Sequence, residues 1–392
     1  MKKYGLIISV LILIFSFCVT SFASNDTKTE AEYKITKTEF DVNCKSAILM
    51  DAATGTVLYE KNINEKYSPA SVTKIMTILL VMEAIDDGRI SLDDKVSVSA
   101  YAASMGGSQV FLEEGEVMSV EELLKCAVIA SANDASVALA EHVAGSESAF
   151  IVKMNERAGE LGMKNTVFKN ATGLDDTEEN LTSALDIAIM SRELISHEKV
   201  LEYSSIWQDT IRGGEFTLTN TNRLVRYYDG CNGLKTGSTS KAGFCMSATA
   251  KRGNMQLIAV VMGAETRDIR NSIARNLLDY GFANYALYEH PGCALEEVAV
   301  LGGCITSVPV YSKPFSVLVN KSDLSRVELK YSIPEKITAP HKAQDVIGKI
   351  EFYISDKLVG SCDICVNEDI DKIDFGEVYK RVITLTVFGK KS

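Results

Sequence analysis

A serine and a lysine three residues apart can carry out acyl transfer when they share one face of a helix, the amine taking the hydroxyl proton as the oxygen attacks a carbonyl. That spacing occurs at Ser71/Lys74, Ser196/Lys199 and Ser238/Lys241, so the pattern alone selects nothing. Only Ser71 follows Pro69-Ala70 and opens a strongly apolar run, in which Ile75, Ile78, Leu79, Met82 and Ile85 recur at three and four before Gly88. A helix starting there offers unpaired N–H groups to negative charge developing at Ser71, and its apolar surroundings strip water from Lys74 and favour the neutral amine. The plainer alternative is an N-cap serine beside a solvated lysine. Other bases are scarce: His142, His197, His290 and His341 form no H-x-x-x-H or H-x-x-E-H pattern, and no G-x-S-x-G is present.

Two further motifs follow in order. Ser131-Ala132-Asn133 sits between helical patterns at about 120–130 and 134–144, where a short connection can turn both polar side chains into a cleft. Lys235-Thr236-Gly237 occurs once, before a predicted hairpin, and is expected to start an edge strand on which Gly237 lets a substrate backbone approach closely. Taken singly, S-x-N mostly marks a turn or a cap. The ordered triple S-x-x-K, S-x-N, K-T-G is instead the signature of penicillin-binding proteins and class A β-lactamases.

The segment Tyr67-Ser68-Pro69-Ala70-Ser71-Val72-Thr73-Lys74-Ile75-Met76-Thr77 resembles the nucleophile region of low-molecular-mass penicillin-binding proteins that are serine-type D-alanyl-D-alanine carboxypeptidases. Gly106-Gly107-Ser108, Phe111-Leu112, Ser131 to Ala135, Gly173-Leu174, Asn222-Arg223-Leu224 and Gly233 to Gly237 are similar too, so the likeness spans roughly 40–290. It departs at Asn180-Leu181-Thr182, where the family often has a His followed by Ser/Thr-rich residues, and at Ser238, where some members carry His.

The resemblance implies an α+β penicillin-binding/β-lactamase-like catalytic domain followed by a small all-β sandwich. It implies a substrate, a peptidoglycan stem peptide ending in D-Ala-D-Ala, with β-lactams as acylating inhibitors and no cofactor. Ser71 would be the nucleophile, Lys74 its base and Ser131 a proton relay. Asn133 would hold Lys74 and the substrate amide, and Lys235 and Thr236 would bind the terminal carboxylate beside Gly237. The N–H groups of Ser71 and Ser238 would form the oxyanion hole. Two rivals remain at this point: a β-lactamase, for which Glu178-Glu179-Asn180-Leu181-Thr182 is a near miss to E-x-x-L-N, and a non-catalytic β-lactam sensor or wall-binding module.

The elements that must position these residues can be read along the chain. Runs at 47–50 and 56–60, and at 244–250 and 256–263, read as hairpins; helical patterns cover about 120–130, 134–144, 148–161, 183–196 and 267–288. Short alternating runs then fill 298–365. The expected organisation is a signal peptide at 1–23, a flexible leader at 24–40, a catalytic domain at 41–290, a β-sandwich at 291–370 and a tail at 371–392. Wound as a helix, the tail puts Phe375, Val378, Tyr379, Val382, Ile383 and Leu385 on one side, which suits peripheral membrane attachment; wound as a strand, Ile383, Leu385 and Val387 alternate with Thr384 and Thr386.

Composition sets the outer bounds. With 392 residues, 46% hydrophobic, the chain can build sizeable cores. Lys2-Lys3, an apolar run from Leu6 to Val19 and Ser21-Phe22-Ala23 read as an export signal, which places the mature protein at the outer face of the cytoplasmic membrane. The balance of 41 Lys+Arg against 52 Asp+Glu is −11; losing residues 1–23, whose only charges are Lys2 and Lys3, leaves 39 against 52, or −13. With no basic run, nucleic acid is not an expected partner. Eight cysteines lie beyond the signal, scattered through apolar stretches, and are expected as buried thiols rather than staples; Cys362 and Cys365 fall in a predicted strand, three apart and so on opposite faces.

Overall fold

The computed structural model describes residues 33–37, 40–174 and 180–388; the expected signal peptide, most of the leader and Glu178-Glu179 lie outside the described residues. A five-stranded antiparallel sheet organises the first part: β1 (Ser46–Asp51), β2 (Val57–Lys61), β3 (Cys231–Thr239), β4 (Gly243–Arg252) and β5 (Met255–Ala264), in the order β2-β1-β5-β4-β3. Its strands alternate between two cores. Ile48, Ile258, Val260 and Met262 face a helical layer, while Leu49, Leu257, Ala259 and Val261 face a single long helix, as a period of two requires.

The helical layer comprises α1 (Lys74–Asp86), α2 (Val120–Lys125), α3 (Asn133–Ala144), α4 (Glu147–Glu160) and α5 (Ala184–Ser196). Helix α1 is buried on nearly every side, as its lack of a polar face demands, and packs against α3, α4 and α5. Ser119 and Glu122 form a capping box at the start of α2, and a wider π-helical stretch, Cys126–Ala130, carries the chain on to Ser131. Helix α6 (Arg267–Asn284) covers the other face of the sheet.

The expected helix over 267–288 is corrected here: it stops at Asn284, and β6 (Tyr285–His290) pairs antiparallel with Phe315–Asn320. Tyr285 and Leu287 are buried while the residues between and after them are less so, a strand's alternation that four residues of apolar sequence do not distinguish from a helix. The rest of the β-rich part forms three-stranded and four-stranded sheets around a third core, where Phe352 stacks on Phe315. Among the short runs expected over 298–365, Ser307–Val308 and Val310–Ser312 are separate strands, parted by Pro309, which has no N–H for a ladder.

Lys235-Thr236-Gly237 lies on the edge strand β3, but in its middle rather than at its start. The eight described cysteines form no disulfide with one another; Cys293 and Cys304 are exposed, against the expectation of burial, whereas Cys362 joins the third core and Cys365 is buried on the opposite strand face. The tail is helical: α7 (Phe375–Phe388). Two short hairpins, Lys95–Ser97 with Val117–Ser119 and Gln208–Ile211 with Phe216–Thr219, carry too few apolar residues to be legible in sequence.

Candidate active site

Ser71 sits in a 3-10 turn, Ala70–Thr73, that leads into α1, so it precedes the α-helix by one tight turn instead of opening it. Lys74 Nζ lies 3.1 Å from Ser71 Oγ, 2.5 Å from Asn133 Oδ1 and 2.7 Å from the Thr172 carbonyl. The last two partners only accept hydrogen bonds. A neutral amine therefore gives its two N–H bonds to them and turns its lone pair to the Ser71 hydroxyl. Lys74 is fully buried; that desolvation, and secondly the charge of Lys235, hold its ammonium well below the usual lysine range, although Asp134 pulls the other way.

Ser131 ends the π-helical stretch with φ +64, a left-handed conformation that lifts its side chain out of the helical path. Lys235 Nζ donates to Ser131 Oγ at 2.7 Å and to the Thr236 carbonyl at 3.0 Å. Burial, and then the guanidinium of Arg270, push Lys235 down to about 7. Asn133 Nδ2 donates to the Gly106 carbonyl at 2.7 Å, so one amide ties Lys74 to the 106–108 loop. The two lysines thus each hold one serine.

Thr236 Oγ1 donates to Thr221 Oγ1 at 2.8 Å. At Gly237 a Cβ would come within 2.7 Å of Ser71 N and 2.8 Å of Pro69 O, so the edge strand passes the nucleophile turn at a distance only glycine permits. Ser238 is exposed beside it and lines the cavity over Ser71. All eight residues singled out from the sequence, Ser71, Lys74, Ser131, Asn133, Lys235, Thr236, Gly237 and Ser238, converge on this place.

Three supports were not legible. Asp134 accepts from the backbone N–H groups of Val110 and Leu112 at 3.0 and 3.1 Å and pins the loop that Asn133 touches. Asn180 donates to Thr73 Oγ1 and accepts from Lys169 N, holding the 169–173 segment whose Thr172 carbonyl meets Lys74. Arg270 is buried on the stripe that α6 otherwise fills with Ile273, Ala274 and Leu277, and an arginine on an apolar stripe was the available signal. With Arg223 and Arg267 it gives a cavity of about 590 Å3 above Ser71 a cationic wall that holds no carboxylate among its lining residues.

Fold and site together define a serine-type hydrolase of the penicillin-binding protein class. The D-alanyl-D-alanine carboxypeptidase family model, peptidase S11, matches residues 32–266, and that of the penicillin-binding protein 5 C-terminal domain matches 283–372. The chain is 41% identical to D-alanyl-D-alanine carboxypeptidase DacF of Bacillus subtilis over 391 residues, 98% of each protein, and 35% identical to DacC of Escherichia coli over 94% of this chain and 93% of that one. Among solved structures, penicillin binding protein 5 from Haemophilus influenzae superposes with a TM-score of 0.75 at 30% identity, covering 86% of this chain and all of that one (100%). Penicillin-binding protein D2 from Listeria monocytogenes, in its ampicillin-bound form, superposes with a TM-score of 0.58 at 32% identity over 62% of this chain and 100% of that one. The chain belongs to the D-alanyl-D-alanine carboxypeptidase family.

Proposed function

We propose that this carboxypeptidase is exported and removes the terminal D-Ala of peptidoglycan stem pentapeptides through an acyl-enzyme on Ser71. The observation that carries the reading is the contact of Ser71 Oγ with a buried lysine amine whose other partners are acceptors only. Lys74 takes the Ser71 proton as the oxygen attacks the carbonyl between the two D-alanines. Ser131, held by Lys235, passes a proton to the departing amine, while Thr236 and Arg270 face its carboxylate. The N–H groups of Ser71 and Ser238 hold the oxyanion, and water then releases the shortened peptide. β-Lactams acylate the same oxygen. The test is to incubate the protein with a D-Ala-D-Ala pentapeptide and with a fluorescent penicillin: free D-Ala with long-lived labelling supports the reading. Rapid penicillin turnover would point to a β-lactamase, and labelling without D-Ala release to a sensor.

Two outcomes follow for the site. Gly237→Ala pushes a methyl group against Ser71 N and is expected to slow penicillin acylation on the order of 10²-fold, the scale of one lost oxyanion donor, as measured by stopped-flow labelling. For pH, Lys74 must be neutral and Lys235 charged. The rate rises as Lys74 loses its proton, and kcat/KM for the pentapeptide falls as pH climbs through about 7, where Lys235 loses its charge. Lys235→Arg should move that falling limb up by about two pH units or more, because a guanidinium stays charged; a limb left at the same pH would contradict the assignment.

The location is also proposed: export through residues 1–23 and peripheral attachment through α7. No described helix is long and apolar enough to cross a membrane. On α7, however, Phe375, Val378, Tyr379, Val382 and Ile383 form one exposed apolar face, Phe375 being 84% exposed. Such a face is costly in water and suits a lipid interface. Deleting residues 375–392 should move the protein from the membrane fraction to the soluble one; unchanged fractionation would refute the anchor.

A further inference from the structure

Two surface segments reach the cavity over Ser71: the loop 106–116 through Ser108, and the hairpin Gln208–Ile211/Phe216–Thr219 through Trp207 and Thr219 at its base. Arg212, in the turn at the tip of that hairpin, joins them. Its Nε and Nη2 donate to the two carboxylate oxygens of Glu116 at 2.7 and 3.0 Å, its Nη1 to the Val110 carbonyl at 2.9 Å, and its Nη2 also to the Phe111 carbonyl at 3.1 Å. Four of the five N–H groups of one guanidinium thus go to one loop, two of them in the side-by-side fork that a carboxylate favours. The tie also holds backbone in a rare conformation. Arg212 has φ +52 and Phe111 φ +57, left-handed values uncommon for residues with a Cβ, which persist where surrounding bonds over-determine them. Burial of the Phe111 ring does not account for this, because it is 64% exposed. The bonds to its backbone do.

The loop is held from within as well. Asp134 takes the Val110 and Leu112 N–H groups while Arg212 takes the Val110 and Phe111 carbonyls, so the two charged side chains grip the same stretch of backbone by opposite groups. Next along, Asn133 N donates to the Ser108 carbonyl at 2.7 Å and Asn133 Nδ2 to the Gly106 carbonyl at 2.7 Å. At Gly107 a Cβ would come within 2.9 Å of that same Nδ2. The loop therefore sets how the Asn133 amide is turned, and its Oδ1 is the acceptor that meets Lys74 Nζ. Arg212 itself does not line the cavity. We propose that Arg212 is a positioning residue for acyl transfer, acting through the loop 106–111 on Asn133 and so on Lys74. The inference rests on the acyl-enzyme reading above. Without the tie the loop keeps its bonds to Asn133 and Asp134 but loses its outer support, and Asn133 shifts with it. A displacement of about 1 Å at such a contact slows a reaction by up to about 10²-fold.

The test is a double-mutant cycle in the full chain, read by stopped-flow acylation with a fluorescent penicillin. Arg212→Met keeps an unbranched stem beside Phe216 and removes all four bonds; it should slow acylation about tenfold. Asn133→Ala slows acylation by itself, and adding Arg212→Met to it should lower the rate by less than about twofold more, because the residue through which Arg212 acts is already gone. A purely structural role would lower the rate by the same factor in both backgrounds, and that result would overturn the proposal. So would a single Arg212→Met variant acylated within about twofold of the unaltered protein. Arg212→Lys takes its place if Arg212→Met does not fold: it keeps a cation beside Glu116 but lacks the fork that reaches both carbonyls. It is judged in the same two backgrounds, with about threefold slowing expected in the first and none in the second. An unaltered protein that penicillin does not acylate would instead overturn the acyl-enzyme reading.

Discussion

Ser71→Ala should abolish covalent labelling by penicillin and lower D-Ala release by about 10⁴-fold or more, the scale on which losing a nucleophile collapses a unit that acts together. In the proposed mechanism the oxygen removed is the atom that bonds to the acyl group, and no neighbour is placed to replace it: Ser131 Oγ is held by Lys235 rather than by Lys74, and Ser238 is exposed, outside the reach of either lysine bond described. The fold should be intact, because Ser71 is only partly buried, lines the cavity and leaves no buried partner orphaned but the Lys74 amine. Near-native thermal unfolding alongside lost labelling is therefore the expected pair of measurements. Labelling that persists in Ser71→Ala would overturn the assignment of the nucleophile.

The second large effect is at Lys74. Lys74→Met keeps a long unbranched side chain in the buried space but removes the proposed base, and acylation should fall by about 10³-fold, within the range of a positioned general base. It also leaves Asn133 Oδ1 and the Thr172 carbonyl without their donor, a cost of about 1–3 kcal/mol for each buried orphan. Activity and stability are separated by a second variant. Lys74→Arg can still donate to both acceptors, yet a guanidinium does not give up its proton and cannot serve as base. Stopped-flow acylation should be lost in both variants, and hydrogen bonding retained only in the second; an active Lys74→Arg would show that the base lies elsewhere.

How much of this was written in the sequence depended on distance along the chain. Ser71 and Lys74 are one turn apart, and the apolar periodicity of α1 made their shared surroundings legible before any contact was known. Ser131 and Asn133, and Lys235 to Ser238, were found as motifs, but motif order does not say which lysine holds which serine. That pairing depends on β3 folding back along the edge of the sheet, beside the nucleophile turn. The Thr172 carbonyl reaches Lys74 from 98 residues away, on a segment held by Asn170 and Asn180, and no local pattern signals it. Arg270 was passed over because a charged residue in a helix ordinarily faces water.

The fold shows the same division. Long periodic elements such as α3, α4 and α5 were legible to within a residue or two, since each carries its own buried stripe, while α1 starts at Lys74, three residues after the expected Ser71, because a 3-10 turn precedes it. The end of α6 was not, because Tyr285 and Leu287 belong to a strand only by virtue of its partner, Phe315–Asn320, a pairing between distant parts of the chain. The tail had two readings, and α7 decides for the helix, with its apolar residues on one face.

The central claim is that one oxygen carries the acyl group. Trapping the protein with penicillin by acid quench, digesting it and locating the added mass by tandem mass spectrometry tests this directly. The mechanism predicts a single penicilloyl adduct on Ser71, formed more slowly in Lys74→Met. An adduct on Ser131, Ser238 or a cysteine, or no covalent adduct while D-Ala is still released, would contradict it.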